Sequence, residues 1–566
     1  MKRTGFLASE DNWANLLGGF LLLVGLIIFF AIKPADLDEQ HREYGRIIAA
    51  EQVGTPYTTL AYYDALEAQE SLKLSSTPVG KFLRQLTAKP GSWAFVASPT
   101  GAGADSLAYW QRVAAERYEY AAGRENSARL MQWENGRVSG EAEVAVREWR
   151  LAEKEVNRLK AQTKPGQFRW WAVLLLFIVF ALLFGLAVRG TGSGRIVRFW
   201  YGFAGVFALA LLSYWLAGNQ AMKTWGIGYA VWGIGIGLLI GNTIGTPAWM
   251  RPALRTELFI KTGLVLLGAE ILFNKILAIG APGIVVAWVV TPIVLLSTYW
   301  FGQKVLKIKS KTLNIVISAD MSVCGVSAAV ATAAAARAKR EELTLAIGMS
   351  MIFTSIMMIV MPLVIRWLGL SAELGGAWLG GTLDATGAVV AAGAFLGDDA
   401  LNVAATIKMI QNVLIGVIAF AVAVYFSRQE QAGQRSARIA ESRSSVQELN
   451  ADGTRRVHIS EIWKRFPRFI LGFLGASVLF SVIYVSLHPD VARSVIDQGV
   501  IRGFTKNLRG WMFALAFVSI GLSTNFRALS GVLRGGKPLL LYVCGQTLNL
   551  LLTLGVAYLM FEVVFK

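Results

Sequence analysis

Leu313–Ala336 reads LNIVISADMSVCGVSAAVATAAAA, apolar enough to enter a bilayer yet carrying an acid, Asp320, and a glycine, Gly325, near its middle. A uniform spanning helix has no use for either. Ionisable side chains are costly in hydrocarbon, and glycine lets the backbone leave helical geometry. The segment follows Lys304, Lys307, Lys309 and Lys311 and ends at Arg337, Lys339 and Arg340. Basic residues mark the cytoplasmic side, so both ends lie there if the segment enters and returns. If it crosses, its second basic cluster lies outside. Gly380–Leu396 has the same build, with one acid, Asp384, before a run of small residues, and Asp398 and Asp399 after it. Two broken or re-entrant segments, one entering from each side, satisfy the strongest charge signals.

Working outward, apolar runs recur over most of the 566-residue chain, and about 20 such residues suffice to cross a bilayer as a helix. Hydrophobic residues make up 54% and charged residues 16%, against about 25% charged in soluble domains. A soluble enzyme, a disordered scaffold and a secreted disulfide protein are excluded. The runs fall near 16–32, 170–188, 199–217, 227–245, 258–278, 284–303, 343–368, 402–427, 467–487, 510–526 and 539–563. The expected fold is an all-α polytopic membrane protein with about 11 full transmembrane helices plus the two broken segments, or 13 if both cross.

Lys2 and Arg3 precede the first run, and Ala31–Pro34 is a poor cleavage site, so residues 1–32 read as a retained transmembrane helix. Its N-terminus is expected in the cytoplasm. Arg189, Arg195 and Arg198 return the chain to that side after the second run. Residues 33–169 then read as a helical extracytoplasmic domain, 170–198 as the second transmembrane helix and its linker, and 199–566 as a transporter core. The outer domain holds 19 basic and 18 acidic residues, so the net charge of +18 resides in short loops, above all 428–465 with eight basic residues. A phosphate-binding face would be clustered, and nucleic acid is excluded. One loop, 489–509, dissents, with four basic residues on the outer side. Cys324 and Cys544 lie in apolar segments and the three histidines are scattered, so no metal or other cofactor is expected. The expected partners are the lipid bilayer and a small solute, with homo-oligomerisation left open.

Ser322, Cys324, Gly325 and Ser327 in the first broken segment, and Thr386 and Gly387 in the second, sit where a half-helix would begin. Helix N-termini offer unpaired N–H groups and partial positive charge, which suit an anion. Close packing of small residues explains the same composition, but it does not require acids. Asp320 and Asp384, with Glu270 inside the run 258–278, are candidates to carry a coupling proton or bind a cation such as sodium. Lys408 and Asn412, four apart on one helix face, are candidates to meet an anion. The structural alternative pairs Lys408 with one of the acids. Gly233, Gly237 and Gly241 form a stripe suited to helix contact, and Asn242 beside it is an amide in need of partners. No Walker-type loop and no Ser/His or His/acid pair occurs, so neither a nucleotide-driven pump nor an enzyme is expected.

Leu264–Leu277 echoes Ala516–Leu529, and the two should run in opposite directions, as inverted repeats do. Gly237–Asn242 (GLLIGN), Phe259–Ile271 (FIKTGLVLLGAEI), Ser322–Ser327 (SVCGVS), Asp384–Gly387 (DATG), and Lys408 with Asn412 together resemble the proposed sulfate exporter family, the YeiH-type bacterial inner-membrane proteins. The resemblance covers roughly residues 200–566. That family is compact, so the first two spans and the outer domain depart from its pattern. The resemblance implies a secondary transporter that exports sulfate or a related small anion, distantly akin to cation/proton antiporter folds. The residues alone lead to the same class, a secondary transporter, and the first hypothesis is anion export coupled to a proton or sodium gradient. The competing reading is a membrane-anchored sensor or scaffold whose outer domain binds a partner. Broken helices with buried acids favour transport, because an anchor needs neither.

Overall fold

The computed structural model describes residues 9–91, 93, 100–163, 169–192, 195–224, 227–271, 273–441, 467–524 and 536–565. Among them there is no strand, only an isolated bridge between Trp93 and Asn219. In chain order the helices are α1 Glu10–Ala31, α2 Leu37–Gly54, α3 Leu60–Ser71, α4 Pro78–Leu86, α5 Thr100–Leu130 and α6 Gly136–Thr163. There follow α7 Trp170–Thr191, α8 Ile196–Ala217, α9 Gln220–Thr224, α10 Tyr229–Thr243, α11 Thr256–Glu270 and α12 Phe273–Lys304. The next are α13 Lys311–Ser322, α14 Val326–Ala336, α15 Arg340–Trp367, α16 Ala372–Thr382, α17 Thr386–Leu396, α18 Asp398–Asn412 and α19 Leu414–Glu441. The last are α20 Phe469–Ser486, α21 Pro489–Ala492, α22 Lys506–Ser523 and α23 Gly536–Tyr558, with wider π turns at Arg493–Thr505 and Leu559–Val564.

Eight helices are long and apolar enough to cross a membrane, and the chain is an all-α polytopic membrane protein. The three expected spans outside that set are α10, α11 and α22. α10 and α11 have 15 residues each, about 22 Å at 1.5 Å per residue, short of the ~30 Å hydrocarbon core. α22 opens with Lys506, Asn507 and Arg509, which lower its apolarity. The run 258–278 is also not one helix. It ends at Glu270, Ile271 is extended, and α12 starts at Phe273. Glu270 therefore sits at a helix end, not in mid-span as the sequence suggests.

Two bundles form. In one, α1 packs against α11 and α20, and α22 packs against α8, α10 and α11. Gly233, Gly237 and Gly241 bring α10 onto the backbone of α22: a Cβ on Gly237 would stand 2.7 Å from Leu522 N and Val518 O. Asn242 donates to Leu238 O (2.9 Å) and Thr524 O (3.0 Å), satisfying its amide at the end of that contact. α11 and α22 are antiparallel, the end of one meeting the start of the other at Glu270 and Arg509. They contain the first parts of the two echoing stretches, residues 264–270 and 516–523, while the first stretch runs on into α12 and residues 525–529 of the second lie outside the described residues.

The other bundle is built from α12–α19 and α23, and it holds both broken segments as hairpins. Ser310 caps α13 by accepting from Leu313 N (3.1 Å), and Ser371 caps α16 by accepting from Leu374 N (3.2 Å). Glu342, in the first turn of α15, accepts from Ser310 Oγ (2.5 Å) and Thr312 Oγ1 (2.7 Å). The start of α13 and the start of α15 are thus side by side, so α13–α14 returns to the side it left. Arg366, at the end of α15, donates to Phe395 O at the end of α17 (2.9 Å). α16 starts beside the same end of α15, so the second hairpin also returns, on the opposite side.

In the segment 33–169, α5 and α6 pair along their length and contain the helical patterns expected at 115–121 and 141–160. Glu125 accepts from Leu60 N (2.8 Å) and pairs with Arg129 (3.3 Å). Burial raises its carboxyl above the usual range, against the pull of that N–H and guanidinium. Between α4 and α5 the segment lays a strap on the first bundle. Trp511 Nε1 donates to Thr87 O (3.1 Å), Asn507 donates to Thr87 Oγ1 (3.3 Å), and Trp93 stacks on Trp215 at 4.4 Å. Between them, Lys89 Nζ lies 5.2 Å from the ring centre of Tyr214 and 5.6 Å from that of Tyr229.

Candidate functional site

The two hairpin tips meet inside the second bundle. Gly325, with φ +58°, turns the chain between α13 and α14, and a Cβ there would stand 3.0 Å from Ser350 Oγ and 3.3 Å from Asp384 Cβ. Breaking a helix in mid-bundle strands the carbonyls at the end of its first half, where no bulk water can satisfy them. Side chains do so here. Lys408 Nζ, almost wholly buried, donates to Val323 O (2.5 Å) and to Gln411 Oε1 (2.7 Å). Gln411 Nε2 lies 3.1 Å from Ser322 O, 3.2 Å from Gly381 O and 3.0 Å from Thr291 Oγ1, joining both tips. From the other side, Gln546 donates to Thr382 O (3.1 Å) and Asn549 to Met321 O (3.3 Å). A cation at the carboxyl ends of helices is also favoured by their dipoles.

Asp384 is 1% exposed and accepts from Ser350 (3.4 Å), Thr354 (3.5 Å) and the Tyr542 hydroxyl. Asp320 is fully buried one turn before the first break, and neither of its oxygens makes a hydrogen bond of ordinary geometry. Among the described residues no carboxylate lies within 4.0 Å of Lys408. The expected alternatives for this lysine, anion ligand or ion pair, are therefore joined by a third: it caps a broken helix.

The second halves of the hairpins start without a side-chain cap, α14 at Gly325 and α17 at Ala385. Ser322 contributes its carbonyl to the junction, while Cys324 is buried and Ser327 is exposed one residue into α14. Thr386 is half-buried and accepts from Asn412 Nδ2 (3.2 Å), leaving Asn412 Oδ1 without a partner. Gly387 lets α17 approach Ile260 of α11 and Ile520 of α22. The structure thus gathers Asp320, Ser322, Cys324, Gly325, Asp384, Thr386, Lys408 and Asn412 around one junction.

Glu270 stands elsewhere. It pairs with Arg509 (3.1 Å), which also meets Asp398 (3.1 Å), and Asp398 pairs with Lys506 (2.8 Å). This cluster ties the first bundle (α11, α22) to the start of α18 in the second. Three of the four basic residues of the dissenting loop lie beside acids, Lys506 and Arg509 at Asp398 and Arg493 at Asp490 (3.8 Å). Gln411, Tyr542, Gln546 and Asn549 are missing from the sequence-based candidates. For the last three a signal was present: Tyr542, Gln546, Asn549 and Thr553 repeat at helical spacing in an otherwise apolar run.

Residues 201–542 match the family described as Conserved hypothetical protein 698. A UPF0324 membrane protein of Nitratidesulfovibrio vulgaris is 47% identical over 576 residues, covering 98% of this chain and 95% of its own length. One from Rhodopirellula baltica is 56% identical over 403 residues, covering 70% of this chain and 69% of its own. One from Pseudomonas putida is 27% identical and matches 66% of this chain with 96% of its own length, so relatives of full length exist beside shorter ones. No solved structure matches the chain.

Proposed function

The chain belongs to the UPF0324 membrane-protein family, and we propose that it is a secondary active transporter whose translocation site is the meeting point of the two hairpins. One observation carries this reading: half-helices from opposite sides converge on a buried lysine and two buried acids. Packing alone demands none of these charges, whereas alternating access needs a site reachable from either side through opposed, interruptible elements.

The substrate is a small anion, sulfate or a related inorganic or organic anion, whose export is coupled to a proton or sodium gradient. Uncapped N-termini of α14 and α17, the Thr386 hydroxyl and the Asn412 amide supply neutral donors. Lys408 supplies a full charge. Partial charges of about one half at each helix end compensate weakly for a divalent oxyanion, so the ammonium matters most for selectivity. The chain crosses a bacterial inner membrane 11 times, α10, α11 and α22 included, with the hairpins re-entering from opposite faces in an inverted-repeat plan. The N-terminus is cytoplasmic and 33–169 extracytoplasmic. No cofactor takes part and no covalent chemistry is catalysed.

Purified protein in proteoliposomes, loaded with radiolabelled sulfate or small carboxylates, tests this under imposed proton and sodium gradients. Gradient-dependent efflux is expected. Lys408→Gln should lose it, and Lys408→Arg should keep part at altered selectivity. Absence of flux for every oxyanion, with folded and inserted protein, overturns the transporter reading.

A further inference from the structure

We propose that the hairpin junction is a binding site for one monovalent metal cation, sodium by its chemistry, held by oxygens of Asp320, Asp384, Thr382 and Gln546. The inference rests on the transporter reading only in making this ion, and not a proton, the coupling ion. Its basis is a count of donors against acceptors. The nitrogen donors at the junction are engaged: Lys408 Nζ, Gln411 Nε2, Gln546 Nε2 and Asn549 Nδ2 each meet an oxygen. The oxygens are not. Asp320 Oδ1 and Oδ2, Asp384 Oδ1, Thr382 Oγ1 and Gln546 Oε1 make no hydrogen bond of ordinary geometry, in residues at most 3% exposed. Buried polar atoms are nearly always satisfied, and leaving an ionised carboxylate without compensation in a dry interior is among the costliest arrangements.

These oxygens belong to neighbours. Thr382 and Asp384 flank the break of the second hairpin, and Gln546 holds Thr382 O one turn along α23 from Tyr542, which holds Asp384. Ser350 donates to Asp384 and interacts with Asp320, and Gly325 lies against both Ser350 and Asp384. Charge selects the ion. Two ionised carboxylates and one ammonium leave a single negative charge, which a monovalent cation cancels and a divalent one overshoots. Carboxylate, hydroxyl and amide oxygens are hard ligands, suited to alkali and alkaline-earth ions and not to soft metals. A proton on either acid would cancel the same charge but, shared between two oxygens, would still leave three of the five unsatisfied.

Full-length protein in detergent, assayed by thermal unfolding and by radiolabelled sodium binding, tests the site against choline at equal ionic strength. Sodium should stabilise the wild type and bind it saturably, with potassium and magnesium weaker. Asp320→Asn and Thr382→Val should each bind roughly tenfold more weakly or worse, while Gly235→Ala, which touches nothing within 4 Å, should bind as wild type. Folded wild type with neither sodium binding nor sodium-dependent stabilisation overturns the site, as does undiminished binding in both variants. Anion flux driven by a pH gradient and indifferent to sodium also sinks the site but leaves the transporter reading standing. Sodium binding without flux of any anion does the reverse.

Discussion

α10 and the first hairpin use the same residues to opposite ends. Gly233, Gly237 and Gly241 lie in an unbroken helix, and their missing side chains let α10 rest on the backbone of α22. Gly325 lies in an equally small-residue segment, yet there the missing side chain permits a left-handed turn, and the helix stops. What separates the two is the polar company each keeps. α10 carries one amide, Asn242, satisfied by two carbonyls at its end. The hairpin tips leave several carbonyls bare, and Lys408, Gln411, Gln546 and Asn549 arrive from two other helices to cover them. Small residues alone indicate close approach. Small residues opposite buried amides and charges indicate a break.

The widest separation between the regions is expected from Gly237→Leu. Its Cβ already presses on backbone atoms that cannot rotate away, so the variant should lose about 3 kcal/mol or fail to assemble. Wild-type thermal unfolding in detergent would mean that α22 yields and the stripe is not a fixed contact. Next comes Gln411→Leu, which removes the donor shared by Ser322 O and Gly381 O and should cost about 2 kcal/mol. A destabilisation no larger than that of an exposed substitution would show that the tips do not depend on this amide. Gly325→Ala should cost about 1–2 kcal/mol for its left-handed backbone but stop flux nearly completely. Transport at the wild-type rate would separate the turn from the mechanism. The smallest change is Gly235→Ala, on the open face of α10, expected to stabilise by about 0.5–1 kcal/mol. A loss of stability there would place an unseen contact on that face.

Much of this contrast was legible in the sequence. The acid and glycine inside Leu313–Ala336 and Gly380–Leu396 announced interrupted helices, and the basic clusters at 304–311 and 337–340 were best satisfied by a return of the first while leaving a crossing open. Lys408 and Asn412 were found by their spacing in an apolar run. Two things were hidden. Apolarity does not distinguish a helix from a turn, so 258–278 looked continuous, although Glu270 closes α11 and pairs across to α22. Hydrogen-bond partners far apart in sequence leave no local trace either. Gln411 reaches Ser322 and Gly381, and nothing near it in the chain announces carbonyls freed by two distant breaks.

The strap at Thr87 and Trp93 joins the helices of 33–169 to α8 and the first turns of α22, where Arg509 meets Asp398 of the other bundle. Such a connection has a thermodynamic corollary. Binding linkage is reciprocal, so any factor by which solute occupancy alters the hold of this strap must equally alter solute affinity when the strap is loaded from outside. The aromatic pair Trp93–Trp215 is then a natural reporter. If the strap and the junction are coupled, its fluorescence changes when solute binds, and a ligand for the helices of 33–169 acts on the core without entering it.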